Sequence, residues 1–259
     1  MIRFLCAEPT SHGSPVKPQA VVRRRMSVTF DFDGTVALVT GACGALGSAA
    51  AAAFAEAGAT VAAADVVAAD GEDSLLDPAT VDSFHRADFT DESAVADTVD
   101  TVVEEHGRLD HLLNVAGTWR GGDPVEETAV ETFEMLLDVN LKTMFLASKH
   151  ALPHLQETDG AVVSVSAKAS LEGGTGDAPY RASKAGVRLM TESIAEENLG
   201  TVRANAVMPA VLDTPMNREM MEPSDDWVHP SEVAEVMLFL CSDAAEVTSG
   251  AAVPVYGES

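Results

Sequence analysis

The chain predicts one α/β domain, a doubly wound parallel sheet of about seven strands with helices on both faces. Two observations predict it. From residue 34 onward, short β-like runs alternate with Ala-rich helical segments, the rhythm of strands joined by helical crossovers. A length of 259 residues and a hydrophobic content of 46% suit a single domain with a full core, and neither an internal repeat nor a second domain interrupts the pattern.

The elements follow in order. "TVALVTGA" (35–42) is a buried strand, and "GSAAAAAFAEAG" (47–58) is a helix stopped by Gly58. "TVAAADV" (60–66) is the next strand. "DESAVADTVDTVVEEHG" (91–107) is a helix with a Thr-Asp-Glu start and a Gly stop. Strands over 109–117, 160–167, 202–210 and 251–257 alternate with helical stretches over 130–155, 179–200 and 229–243. Residues 26–259 are the domain.

Composition narrows the function classes. The chain carries 41 acidic and 16 basic residues, a formal net charge of −25. Five of the basic residues (Arg3, Lys17, Arg23, Arg24, Arg25) and one acid, Glu8, fall in the first 25 positions, so the remainder holds 11 basic against 40 acidic residues. Acids dispersed over the surface with so few lysines exclude a nucleic-acid footprint. Self-repulsion of this size is best tolerated where salt screens it, which points to a salt-rich cytoplasm. Cys6, Cys43 and Cys241 form no CxxC or Cys/His cluster, so the sequence predicts reduced cytosolic thiols and no metal site. No apolar run reaches membrane-spanning length.

Residues 1–25 are polar, basic and aperiodic, and are expected to be a disordered tail, with Met26 as an alternative start. Arg23-Arg24-Arg25 invites a twin-arginine export reading. That signal needs an apolar segment behind it, and the one present holds Asp31 and Asp33 and runs into the first strand.

"TGACGALG" (40–47) lies between the first strand and the first helix, where a dinucleotide pyrophosphate binds in a Rossmann-type domain. Gly41, Gly44, Leu46 and Gly47 are the candidate contacts. Asp65 ends the second strand, 24 residues after Gly41. A carboxylate there accepts hydrogen bonds from the adenine ribose and repels a 2′-phosphate, which selects NAD over NADP.

Tyr180 and Lys184 stand at i and i+4 on a predicted helix, so both side chains leave the same face. A nearby ammonium and a positive nicotinamide ring are expected to lower the phenol pKa and make Tyr180 a general acid/base.

Together these segments resemble the short-chain dehydrogenase/reductase family over about residues 34–257. "TGACGALG" is similar to its Gly-rich loop, with Ala45 at the usual middle glycine and Gly44 placed to compensate. "ADFTD" carries Asp88 and Phe89, which the resemblance implies for the adenine. "NVAG" supplies Asn114, Ala116 and Gly117, and "DVNLKTMF" supplies Asn140, implied to hold a proton-relay water with the lysine. "YRASK" matches the catalytic Tyr-x-x-x-Lys. "PAVLDT" places Pro209 and Thr214 at the nicotinamide, with Ala210 for the usual glycine. The resemblance further implies a homodimer or homotetramer, and a lid at residues 213–227 that contributes Met216 and Met220. Trp119 follows "NVAG" and edges the substrate pocket.

One family residue is absent. The serine usually found 13 residues before the tyrosine is Ala167 here, and Ser166 and Ser170 are the local substitutes to consider. Ala167 together with "VLDTPMNREMMEPSDDW" resembles the quinonoid dihydropteridine reductase branch, where an Ala stands at this position. The expected activity is therefore NAD(H)-dependent hydride transfer with a small carbonyl, alcohol or quinonoid substrate. A catalytically weak NAD-binding sensor or scaffold is the reading of another class; the missing serine favours it, and Asn140, Tyr180 and Lys184 oppose it.

Overall fold

The computed structural model describes residues 29–257. The predicted disordered tail, residues 1–25, and the alternative start at Met26 lie outside the described residues. Seven strands form one sheet, β1 (Val36–Thr40), β2 (Thr60–Asp65), β3 (Ser83–Arg86), β4 (His111–Asn114), β5 (Ala161–Val165), β6 (Arg203–Pro209) and β7 (Ala252–Val255). Their order is β3-β2-β1-β4-β5-β6-β7, and every pair is parallel. The chain runs outward from β1 to β3, then returns to place β4 on the other side of β1. That reversal opens a crevice at the carboxyl ends of β1 and β4.

The helices are α1 (Ala45–Glu56), α2 (Glu92–His106), α3 (Val130–Leu137), α4 (Thr143–Glu157), α5 (Ala178–Glu197), α6 (Pro215–Met220) and α7 (Pro230–Cys241). Successive residues of each strand face opposite layers. Ala37 and Val39 of β1 pack with Phe54 of α1 and Met237 of α7, whereas Val36 and Leu38 pack with Val99 of α2, Ala151 of α4 and Ile194 of α5. Between Leu46 and Phe54, α1 fully buries only Gly47, Ala50 and Ala51, which are small residues. The helix boundaries have local causes: Asp91 accepts from the Ser93 and Ala94 amides to start α2, and Gly107 ends it at φ 79°.

Three differences from the sequence expectation matter for the site. The predicted strand 109–117 is only His111–Asn114, because the amides of Val115 and Ala116 leave the ladder and donate to the Thr40 hydroxyl (3.1 and 3.2 Å). The predicted helix 130–155 is α3 and α4 joined by one π-helical turn, Asp138–Lys142. The strand β3 and the short helix α6 lie in segments where no element was expected; β3 pairs with β2 at the sheet edge.

Candidate active site

The crevice is an open cleft of about 1870 Å³ running from the end of β2 to α6. Its floor at one end is the β1–α1 loop. Gly41 has φ 66°, and a Cβ on it would stand 2.7 Å from the Ala116 Cα; a Cβ on Gly47 would stand 2.0 Å from the Gly41 carbonyl oxygen. Both glycines are therefore required by the close approach of backbone to backbone. Gly44 is different: its φ is −76° and a Cβ there would meet only the Gly41 oxygen at 3.4 Å. Ala45, at the middle-glycine position of the motif, is the first residue of α1 and lines the cleft. The first turn of α1 has neither a capping side chain nor an acidic residue, so its free N–H groups are open to an anion.

Asp65 lies on the cleft, and its carboxylate also braces the loop: Oδ2 accepts from the Cys43 amide (2.9 Å) and Oδ1 from the Val67 amide (2.9 Å). Glu72 and Asp73 line the same end. Asp88 and Phe89, just after β3, also line the cleft, and Asp88 Oδ1 accepts from both the amide (2.9 Å) and the hydroxyl (2.7 Å) of Thr90. Leu46, Ala116, Gly117, Pro209 and Thr214 also line the cleft. Asn114 does not. It is buried behind the wall, where its amide donates to Ser148 of α4 and Ser164 of β5 (3.2 Å each), so its part is to tie β4 to its neighbours.

At the other end, Tyr180 and Lys184 face the cleft from the first turns of α5. Lys184 is buried and donates to the Val165 carbonyl at 2.9 Å, and burial pushes its pKa down to about 8. Tyr180 is pushed up to about 12, mainly by burial, with Asp177 adding to the rise and Arg181 opposing it. The expected lowering of the phenol by Lys184 is thus not supplied by the protein's own charges.

Asn140 sits in the π turn, buried behind the cleft. Its Oδ1 accepts from the Thr118 amide (2.7 Å) and its Nδ2 donates to the Ser183 hydroxyl (3.0 Å), which in turn donates to the Tyr180 carbonyl (2.7 Å). Its side chain therefore links the loop after β4 to the helix turn that carries Tyr180, as a positioning residue. Gly117 makes room for it: a Cβ there would stand 2.9 Å from Asn140 Oδ1 and 3.0 Å from Lys184 Nζ.

Ala167 lies on the cleft wall, and neither local serine takes its place. Ser166 is buried and gives its hydroxyl to the Lys184 carbonyl (2.8 Å), while the Ser170 hydroxyl points to Met208 Sδ (3.7 Å). Trp119, Met216, Met220, Met221 and Trp227 complete an apolar rim. Thr214 caps α6, its hydroxyl accepting from the Asn217 amide at 3.2 Å. Among the described residues no His, Cys, Asp and Glu group is arranged to hold a metal ion, and no helix is long and apolar enough to cross a membrane.

Sequence reasoning missed Thr40, whose hydroxyl donates to the Leu113 carbonyl (3.3 Å) while holding the amides of residues 115 and 116. It also missed the Val165 carbonyl as the partner of Lys184, since a backbone acceptor leaves no mark on residue identity.

The short chain dehydrogenase family model matches residues 35–225. The chain belongs to the short-chain dehydrogenase/reductase family. It is 34% identical to the 3-oxoacyl-(acyl-carrier-protein) reductase of Thermotoga maritima, over 87% of this chain and 97% of that one. It is 35% identical to the meso-2,3-butanediol dehydrogenase of Serratia marcescens, over 87% and 94%. Among solved structures, the carveol dehydrogenase of Mycobacterium avium in complex with NAD superposes with a TM-score of 0.78 at 25% identity, covering 88% of this chain and 98% of that one. As a short-chain dehydrogenase/reductase, the chain has the fold and the oxidoreductase character of these relatives.

Proposed function

We propose that this chain is an NAD(H)-dependent oxidoreductase acting on a small carbonyl or alcohol, with Tyr180 as the general acid/base. The observation that carries the proposal is the convergence of Tyr180 and Lys184 on one end of a cleft whose other end has a glycine floor and an open helix N-terminus. NAD fits these residues. The space that Gly41 and Gly47 leave, and the free amides of α1, suit its pyrophosphate. Asp65 suits its adenine ribose, and Glu72 and Asp73 reinforce a field that disfavours a 2′-phosphate. Ala116, Gly117, Pro209 and Thr214 suit the nicotinamide side. When bound, the cofactor accepts or supplies the hydride.

The chain's own residues handle the proton. In reduction, Tyr180 donates its phenolic proton to the substrate oxygen; in oxidation, it takes that proton back. Burial keeps the phenol protonated in the protein alone, so the positive charge that lowers its pKa comes with the bound oxidised nicotinamide. Lys184 holds the nicotinamide ribose, and Asn140 positions the turn behind both and supports a relay water.

Ala167 favours a second reading within the same chemistry. The hydroxyls of Ser166 and Ser170 have partners of their own, the Lys184 carbonyl and Met208 Sδ. A quinonoid substrate of the dihydropteridine type is electrophilic enough to accept hydride with Tyr180 alone. The acidic surface supports work in a salt-rich cytoplasm, and exposed Phe133, Phe145 and Leu189 on α3, α4 and α5 support a homodimer or homotetramer.

The test is Tyr180→Phe in an NADH-oxidation screen at high salt, with ketones, aldehydes, acyl thioesters and quinonoid dihydropterin. Turnover is expected to fall by about two to four orders of magnitude while NADH binding stays intact. Undiminished turnover in the variant would defeat the assignment of Tyr180, and binding of NADH without reduction of any acceptor by the wild type would defeat the proposal and leave the sensor or scaffold reading.

A further inference from the structure

Ala167 and Tyr180 are joined by a stretch of chain, residues 168–177, that walls the substrate end of the cleft at Lys168, Ala169, Glu172 and Asp177. Its sequence is poorly suited to hold a shape. It includes Gly173, Gly174 and Gly176, and glycine loses more backbone freedom on ordering than any other residue. Its backbone is held near its two ends, by the Ser170 amide donating to Ala167 (2.9 Å) and the Gly122 amide donating to Gly176 (2.7 Å).

The middle is held by one side chain. Arg181 Nε donates to Asp177 Oδ1 (2.6 Å), and its Nη1 reaches the carbonyls of Glu172 (3.1 Å), Ala169 (3.4 Å) and Gly173 (3.4 Å). The guanidinium occupies the space a side chain at 174 would need: a Cβ on Gly174 would stand 2.2 Å from Arg181 Cζ. Asp177 immediately precedes α5 yet makes no side-chain cap to that helix, and its carboxylate goes to Arg181 instead. The planar fork suits this task, since one rigid group serves a carboxylate and several carbonyls at once.

We infer that Arg181 is a positioning residue for the substrate: it pins the glycine-rich wall to the first turn of α5 and so fixes Ala167 relative to Tyr180. The same pair bears on the acid. Asp177 and Arg181 act on the Tyr180 phenol with opposite sign, so removing the guanidinium alone leaves Asp177 to raise its pKa further.

The test uses the full chain as wild type, Arg181→Ala, Arg181→Lys and Asp177→Asn, with three readouts. Amide hydrogen exchange across 168–177 is expected to quicken about tenfold or more in Arg181→Ala, with β1 and α1 unchanged. NADH affinity, read by fluorescence, is expected to stay within about twofold while KM for butane-2,3-dione or acetophenone rises about tenfold. The pH profile is expected to shift upward in Arg181→Ala and to return in Arg181→Lys, which restores the charge but not the fork. Unchanged exchange in 168–177, or faster exchange spread evenly over the whole domain, overturns the inference. Should Arg181→Ala fail to fold, Arg181→Lys and Asp177→Asn carry the same exchange readout. The kinetic readouts rest on the oxidoreductase reading, but the exchange readout does not. A wild type that reduces no acceptor therefore defeats that reading and leaves Arg181 to be judged by exchange alone.

Discussion

Ser166 donates its hydroxyl to the Lys184 carbonyl at 2.8 Å, on the side of β5 that faces α5. The bond commits the one serine adjacent to Ala167 to holding the helix turn that carries Lys184. The cleft wall at 167 is a methyl.

Ala167→Ser is expected to put a hydroxyl where the family's carbonyl-reducing members have one. If the substrate is a ketone or aldehyde, kcat/KM is expected to rise about tenfold or more, the order of gain from one well-aimed donor. If it is quinonoid, the rate is expected to change by less than about threefold, since the oxygen needs little help. Ser166→Ala gives the contrast: a stability loss of about 1 kcal/mol from the lost hydrogen bond, with little kinetic effect. Steady-state kinetics and denaturant melts of both variants check this. A rate lost in Ser166→Ala as large as that in Tyr180→Phe would show that Ser166 had been misplaced.

Asp65→Asn separates two tasks that the carboxylate performs together. The side chain keeps one oxygen for the Cys43 or Val67 amide and loses the other, so stability is expected to drop by roughly 1–3 kcal/mol. The lost charge is expected to weaken NADH binding about tenfold and to narrow the gap to NADPH by a similar factor. Glu72 and Asp73 remain at that end of the cleft, so NADPH should not overtake NADH. Fluorescence titration with both cofactors measures the two affinities. An unaltered ratio would show that Asp65 serves only the loop.

What could be read from the sequence follows from what sequence patterns encode. The strand–helix rhythm gives β1, α1, β2, α2 and α5 to within about three residues at each end, since each is a clear apolar or helical run with turn residues near its ends. β3 escaped because "SFHR" is four residues long, polar at its ends and only half-buried at the sheet edge. The π turn at Asn140 escaped because it is a single turn inside a long helical stretch, and its residue types carry no mark of it. Ala116, Gly117, Tyr180 and Lys184, singled out by motif spacing, line the cleft. Asn114 is not among the residues that line it, since spacing fixes a backbone position and not the layer into which a side chain turns. Thr40, Ser183 and Arg181 were invisible as site residues because their parts depend on partners far away in sequence or on backbone carbonyls.

Gly117→Ala is expected to damage the reaction while sparing the adenosine end. The added methyl would come within 2.9 Å of Asn140 Oδ1 and 3.0 Å of Lys184 Nζ, and both atoms are fixed by hydrogen bonds of their own. One of them must move. Displacing either mispositions the Tyr180 turn or the ribose contact, and kcat is expected to fall about a hundredfold, the scale on which small misplacements act. NADH affinity, set largely by the β1–α1 loop and Asp65, is expected to change by less than about threefold. Stopped-flow kinetics with equilibrium NADH titration tests the split, and a normal kcat would show that the Asn140–Gly117–Lys184 packing has slack.

His111→Phe addresses acid stability at the opposite end of the sheet. His111 is buried at the start of β4, with its ring 5.1 Å from Phe32 in an edge contact and 6.1 Å from Phe54. Neither ring nitrogen has a hydrogen-bond partner among the described residues. Burial pushes its pKa down to about 4 from an ordinary 6.5, against the smaller opposing effect of Asp110. Between these values the unfolded chain binds a proton that the folded one refuses, so stability falls as pH drops through 6.5 and on toward 4. A shift of this size corresponds to roughly 3 kcal/mol lost by the bottom of that window. Phe has the shape to fill the same space and binds no proton. The variant is therefore expected to equal or exceed the wild type at pH 7, and to lose markedly less stability between pH 6.5 and 4, in urea melts at constant salt. The carboxylates that take part in ion pairs, such as Asp110 with Arg108, still titrate in both proteins, so the difference between the two curves isolates the histidine. Superimposable curves across that window would mean that the folded protein admits the proton at His111 without cost.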